Sequence, residues 1–130
     1  MSTIFSKIIK GEIPSYKVAE DENFLAFLDI FPLKRGHLLV IPKKEEDYFF
    51  DLPNEEMQGL MVFAKKVAVA MKKCLKCERI GMTVIGLEVA HAHVHLIPID
   101  SVHDMNFANE KLAFSQEEFQ YIAKEIASNL

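Results

Sequence analysis

Three histidines recur at every second position in the stretch His91-Ala92-His93-Val94-His95, which Leu96-Ile97-Pro98 continues. Every residue between and after them is apolar. Period two is the period of a β-strand, so an extended segment sends the imidazoles to one face and Ala92, Val94 and Leu96 to the other. Adjacent histidines are then roughly 6.6 Å apart along the strand and the outer pair about 13 Å. Three readings compete for this row: the polar face of a half-buried strand, a set of metal ligands, or catalysts at an anionic group. Zinc–imidazole bonds of about 2.0–2.1 Å let adjacent members share an ion but leave the outer two too far apart to converge easily. Strict alternation on so apolar a strand favours catalysis, because imidazole changes charge near neutrality and serves as nucleophile or proton donor.

The row needs a scaffold. The 130-residue chain is expected to form one domain, residues 1–130, with half of its residues hydrophobic and a quarter charged, an ordinary globular balance. A net charge of −4 argues against nucleic acid as a partner and leaves a small anionic ligand open. No window has the length of a membrane-spanning helix and the N-terminus lacks a secretory pattern, so the expectation is a cytoplasmic protein without a membrane partner. Cys74 and Cys77 lie late in a helical pattern, where no activated thiol is expected, and no further zinc ligands follow at a suitable spacing. They read as helix residues.

Taken in order, residues 3–10 place Ile4, Phe5, Ile8 and Ile9 on one helical stripe, with Ser2 or Thr3 as N-cap and Gly11 as stop. Tyr16 to Glu20 and Phe24 to Ile30 read as strands joined by the polar turn Asp21-Glu22-Asn23. Asp29 either caps a turn toward Pro32 or accepts hydrogen bonds from a hydroxylated ligand. Pro32 to Gly36 is a turn, and His37 opens the strand His37 to Pro42; alone, it reads as a structural histidine. One long helix runs from Asn54 to Leu75 with Met57, Leu60, Met61, Ala64, Val67, Ala68, Met71 and Leu75 at helical spacing. Ile80 to Ile85 is a short strand, and a turn at Gly86-Leu87-Glu88 leads to the histidines. Residues 99–109 are polar and irregular, and His103 there is given no role. Ser115-Gln116-Glu117-Glu118 is a capping box that opens a last helix with Phe119, Ile122, Ala123 and Ile126 on one face. The pattern is α+β: a mainly antiparallel sheet with helices packed on it.

Five blocks carry a resemblance: Ile4-Phe5-Ser6-Lys7-Ile8-Ile9, Gly11-Glu12-Ile13-Pro14, Leu25-Ala26-Phe27-Leu28-Asp29-Ile30, Gly36-His37-Leu38-Leu39-Val40-Ile41-Pro42-Lys43, and the histidine row itself. In these the chain resembles the histidine triad (HIT) family, and most closely its Hint-like nucleoside phosphoramidase branch. The resemblance implies a five-stranded sheet with one long helix and shorter terminal helices, a homodimer, and binding of a purine nucleoside monophosphate or its phosphoramidate or anhydride. It implies that His93 attacks the α-phosphorus and carries a covalent nucleotidyl group. It makes His95 a donor to the phosphate oxygens and places His91 and His37 behind the row. Ile4, Phe5, Ile8, Phe27 and Ile30 would form the base pocket, Asp29 would accept from the ribose, and Val89 would also bind substrate. No cofactor is implied.

Three departures bear on this. The family's Gly-Gln-x-Val is Gly86-Leu87-Glu88-Val89 here, so a polar contact near the leaving group is lost, which weighs against dinucleoside polyphosphate hydrolysis. The segment before Gly86 is also short. Relatives that bind zinc do so through two N-terminal cysteines and a histidine; Thr3, Ser6 and Glu45 stand there, so no structural metal is expected. The leading expectation is a hydrolase or transferase acting on a phosphoramidate or related nucleotide. The alternatives are a nucleotide-binding or interaction module of weak turnover and a dinucleoside polyphosphate hydrolase.

Overall fold

A computed structural model describes residues 3–130. Its elements run α1 (Ile4–Ile9), β1 (Lys17–Glu20), β2 (Phe24–Leu28), β3 (Leu38–Pro42), α2 (Asn54–Cys74), β4 (Arg79–Thr83), β5 (Val94–Ile99) and α3 (Gln116–Ala127). Single 3-10 turns at Phe49–Asp51 and Val102–Met105 punctuate the connections. The five strands form one sheet in the order β1-β2-β3-β5-β4, every pair antiparallel. This is the α+β architecture expected from the sequence.

β2 and β3 are buried along their whole length, so both faces of the sheet are covered. Phe24, Ala26, Leu28, Leu38, Val40, Val94 and Leu96 face one core with Leu60, Ala64, Val67 and Met71 of α2 and Ile122 and Ile126 of α3. Leu25, Phe27, Leu39 and Ile41 face the other side, where Phe5 and Ile8 of α1 pack. Each fully buried leucine or isoleucine contributes about 1.5–3 kcal/mol relative to exposure, and slipping β5 by one residue would exchange its faces. Burial of Val94 and Leu96 therefore fixes the side on which His95 emerges. It emerges opposite Leu39, which is opposite Phe27.

Several boundaries differ from the sequence reading. The histidine segment is paired only from Val94 onward, so His91 and His93 precede the strand. Pro42, at the end of β3, has no N–H to extend the ladder. Its carbonyl accepts instead from the His91 ring at 2.8 Å, and the Ala92 N–H donates to Glu46 at 2.6 Å. Likewise β4 stops at Thr83, two residues early, and Val84 and Ile85 leave the sheet partly exposed. Tyr16, Asp29 and His37 lie just outside their strands, although the Asp29 N–H still donates to the His37 carbonyl at 3.1 Å.

The helix ends also carry corrections. Thr3 is the N-cap of α1 and forms a reciprocal capping box with Ser6; Ser2 lies outside the described residues. On α1, Phe5 and Ile8 are buried while Ile4 is 48% exposed, so the apolar stripe is narrower than its spacing suggested. Ser115 does cap α3 by accepting from the Glu118 N–H, but no return bond forms, because the Glu118 carboxylate pairs with Arg35.

Gly36 turns the chain into β3 at φ +94, and a Cβ there would lie 2.5 Å from Leu75 Cδ1. A left-handed backbone and a blocked side-chain position act together against any other residue. Gly36→Ala is expected to cost about 1–3 kcal/mol, read as a lower urea midpoint with an unchanged slope. An unshifted midpoint would contradict this.

Candidate active site

The sheet face opposite α2 is only partly filled by α1, and beside it lies a cavity of about 440 Å³. Its lining includes Ile4, Phe5 and Ile8 from α1, and Phe27, Leu39 and His95 from the sheet. Asp29 and Ile30 after β2, the loop from Ile85 to Val89, and His93 complete most of the wall. The sequence-derived residues Ile4, Phe5, Ile8, Phe27, Asp29, Ile30, Val89, His93 and His95 thus meet at one cavity. His91 and His37, each 1% exposed, stand behind it.

The rings lean together more closely than strand spacing alone gives: the His93 and His95 centroids are 5.0 Å apart. An aromatic ring buttresses each end. Phe5 packs edge-on to His93 at 5.1 Å and to His91 at 6.0 Å, while Phe107 packs edge-on to His95 at 4.9 Å and to His37 at 6.0 Å. Phe107 and its neighbour Lys111, which also lines the cavity, were missed in the sequence. They sit in the irregular stretch after β5, where no period exists to point at them; an aromatic ring in a polar loop was the one available signal.

Hydrogen-bond partners decide where each imidazole holds its proton. The Leu33 N–H donates to His37 Nδ1 at 3.0 Å, so neutral His37 is protonated at Nε2. That atom is 3.0 Å from His95 Nδ1, which must accept, leaving the His95 proton on Nε2. His93 Nδ1 lies 2.7 Å from the His91 carbonyl oxygen, an acceptor only, so His93 donates there and keeps a free lone pair on Nε2. The His91 ring donates from Nε2 to the Pro42 carbonyl. One lining histidine therefore offers an N–H and its neighbour a lone pair.

Charge is disfavoured at His37, His93 and His95. Burial, followed by the nearby His95 and Lys111, pushes His37 down to about 3. Burial and His93 push His95 down to about 4. Burial also lowers His93, partly opposed by its bond to the His91 carbonyl. Asp29 moves the other way: burial raises it, partly offset by the Phe31 N–H that donates to its Oδ1 at 2.8 Å. The turn-capping reading of Asp29 is thus realised, and its Oδ2 lies 3.6 Å from His37 Nε2.

Ligand atoms of Asp29, His37 and His95 lie within 4.8 Å of one another, the one such group among the described residues. An ion there would have to displace the proton that joins the two rings. Thr3 and Ser6, at the positions where some relatives have cysteine, are engaged in capping α1.

The HIT domain family model matches residues 10–102. The adenosine 5'-monophosphoramidase HNT1 of Saccharomyces cerevisiae is 44% identical over 96 residues, 73% of this chain and 61% of its own length. The adenosine 5'-monophosphoramidase hnt1 of Schizosaccharomyces pombe is 35% identical over 133 residues, covering 100% of this chain and 99% of that one. A crystal structure of a HIT-like protein involved in cell-cycle regulation from Bartonella henselae superposes with a TM-score of 0.86 at 33% identity, covering 99% and 97% of the two chains. No described helix is long and apolar enough to cross a membrane.

The depressed imidazoles set an acid response. Above about pH 6.5 these rings are neutral in both folded and unfolded chains; below it the unfolded chain takes up protons first. Stability is therefore expected to fall as pH drops from about 6.5 through about 4 for His95 and about 3 for His37, with raised Asp29 opposing in part. Thermal midpoints should decline over that window, less steeply in His95→Gln. A flat wild-type profile would refute the assignment.

Proposed function

This chain belongs to the histidine triad family, and from that premise we propose that it is a nucleotide hydrolase or transferase acting at an α-phosphate. Its substrate is a purine nucleoside phosphoramidate or a related nucleotide, and His93 is its nucleophile. The observation that carries the reading is the 2.7 Å bond from His93 Nδ1 to the His91 carbonyl. It leaves Nε2 unprotonated on a ring that lines the cavity. As Nε2 bonds to phosphorus the ring gains positive charge, and that bond becomes charge-assisted where the charge develops.

In the first step the His93 Nε2 lone pair forms a bond to phosphorus. The bond from phosphorus to the leaving nitrogen breaks, and the departing amine takes the electron pair and a proton from solvent. His95 points its Nε2–H at a phosphoryl oxygen as a hydrogen-bond donor, oriented by His37 behind it. In the second step water attacks phosphorus and returns a proton to solvent, the P–Nε2 bond breaks with its electron pair going back to Nε2, and the nucleoside monophosphate leaves with the neutral imidazole restored. Splitting one displacement into two lowers each barrier, and donors already in place need no rearrangement as charge shifts. Ile4, Phe5, Ile8, Phe27, Ile30 and Val89 supply an apolar slot for the base. Asp29 keeps lone pairs for ribose hydroxyls beyond the one that caps its turn.

Leu87 favours a second reading. It sits at the cavity rim, 88% exposed, with no polar group to offer a leaving phosphate. That weighs against dinucleoside polyphosphates and supports a binding module of weak turnover as the alternative. Two subunits joined through β4 complete the proposal. Among the described residues β4 has no partner on its outer side, Met82 on it is 45% exposed, and an open strand edge invites pairing.

Wild type should release AMP from adenosine phosphoramidate and form a nucleotidyl-histidine adduct visible by mass spectrometry after acid-free quenching. His93→Ala should lose the adduct and slow release by at least about 10³-fold. Equal rates would end the nucleophile assignment, while ligand binding without any adduct would favour the binding module. Sedimentation at micromolar concentration should give twice the mass of one chain; a monomer would refute the pairing.

A further inference from the structure

An anion-binding cavity needs positive charge, and this one has little. His37, His93 and His95 resist protonation through burial, and the acids Asp29 and Glu88 line the same space. Lys111 is the one lysine or arginine among the described residues that line it. It lies beyond residues 10–102, the span shared with the family model, so the family's motifs do not speak for it.

The Lys111 side chain is held rather than trailing in solvent. Its Nζ donates to the carbonyl oxygens of Phe107 and Asn109, which leaves the third ammonium hydrogen for a ligand. Phe107, whose carbonyl it caps, is the ring packed against His95. The segment itself is tied to the turn before β3. The Leu112 N–H donates to the Pro32 carbonyl at 2.8 Å, Lys34 pairs with Asp104 at 3.1 Å, and Arg35 pairs with Glu118.

We propose that Lys111 is a binding residue for the phosphoryl group, a fixed ammonium that makes affinity rise with the negative charge of the ligand. The inference rests on the nucleotide reading above and adds to it a rule for which nucleotides are preferred. An ammonium at a solvent-facing rim acts through a screened field, so its effect is a graded preference.

Binding of three probes by calorimetry tests this: adenosine, uncharged; the methyl ester of AMP, singly charged and without a leaving amine; and AMP, close to doubly charged at neutral pH. In Lys111→Met, AMP affinity should fall about tenfold, the methyl ester less, and adenosine not at all. Lys111→Arg should keep the wild-type order. Added salt should weaken AMP binding to wild type and leave the Met variant nearly unchanged. Equal losses for all three probes would show a structural role and overturn the proposal, as would an unchanged AMP affinity. Wild type binding neither adenosine nor AMP would instead remove the nucleotide reading, and the inference with it.

Discussion

The hydrogen bond between the His37 and His95 rings has a direction, and that direction is imposed from outside the cavity. Two neutral imidazoles can share a proton either way round. A backbone N–H at Leu33 cannot act as an acceptor, so it forces one order along the chain of rings. Reversing it would set two donors against each other and strand a buried group at a cost of about 1–3 kcal/mol. The His91 carbonyl does the same for His93 with the opposite sign. Main-chain groups thus make a donor of one imidazole and a lone-pair carrier of the other, and the rest of the fold has to keep those groups in register.

The sheet does this by being covered twice. Alternation along β2 and β3 feeds two separate apolar clusters, so no strand can slide without exchanging buried residues for the wrong side. The core under α2 and α3 is what holds His95 on the face where α1 leaves room. Burial that stabilises the chain also disfavours charge on His37, His93 and His95.

Much of this was legible in the residues. Period-two alternation announced an imidazole row with one common face, and the 3.6-residue period announced α2. The positions to which the family resemblance gave a base pocket line one cavity, and the pairing of hairpins with helices gave the architecture. Three things were hidden. Strand ends depend on where a partner runs out of donors, as Pro42 does, and that is a property of two segments at once. Proton positions depend on carbonyls and amides whose orientation no side-chain pattern encodes. The contributions of Phe107 and Lys111 come from an aperiodic loop, whose path is set by single long-range bonds such as that of Leu112 to Pro32. Half of the capping box at Ser115 failed for the same kind of reason, because a distant arginine offered Glu118 a better partner.

That arginine has a further consequence. Arg35 and Glu118 are 83 positions apart in the chain, yet Arg35 belongs to the short turn that carries Leu33 and His37. The pair is about two-fifths exposed on each side and adds little to stability by itself. Its effect is one of wiring: the start of the terminal helix, which also packs on the sheet through Ile122 and Ile126, is tied by Arg35 to the turn whose Leu33 amide sets the proton order of the imidazoles.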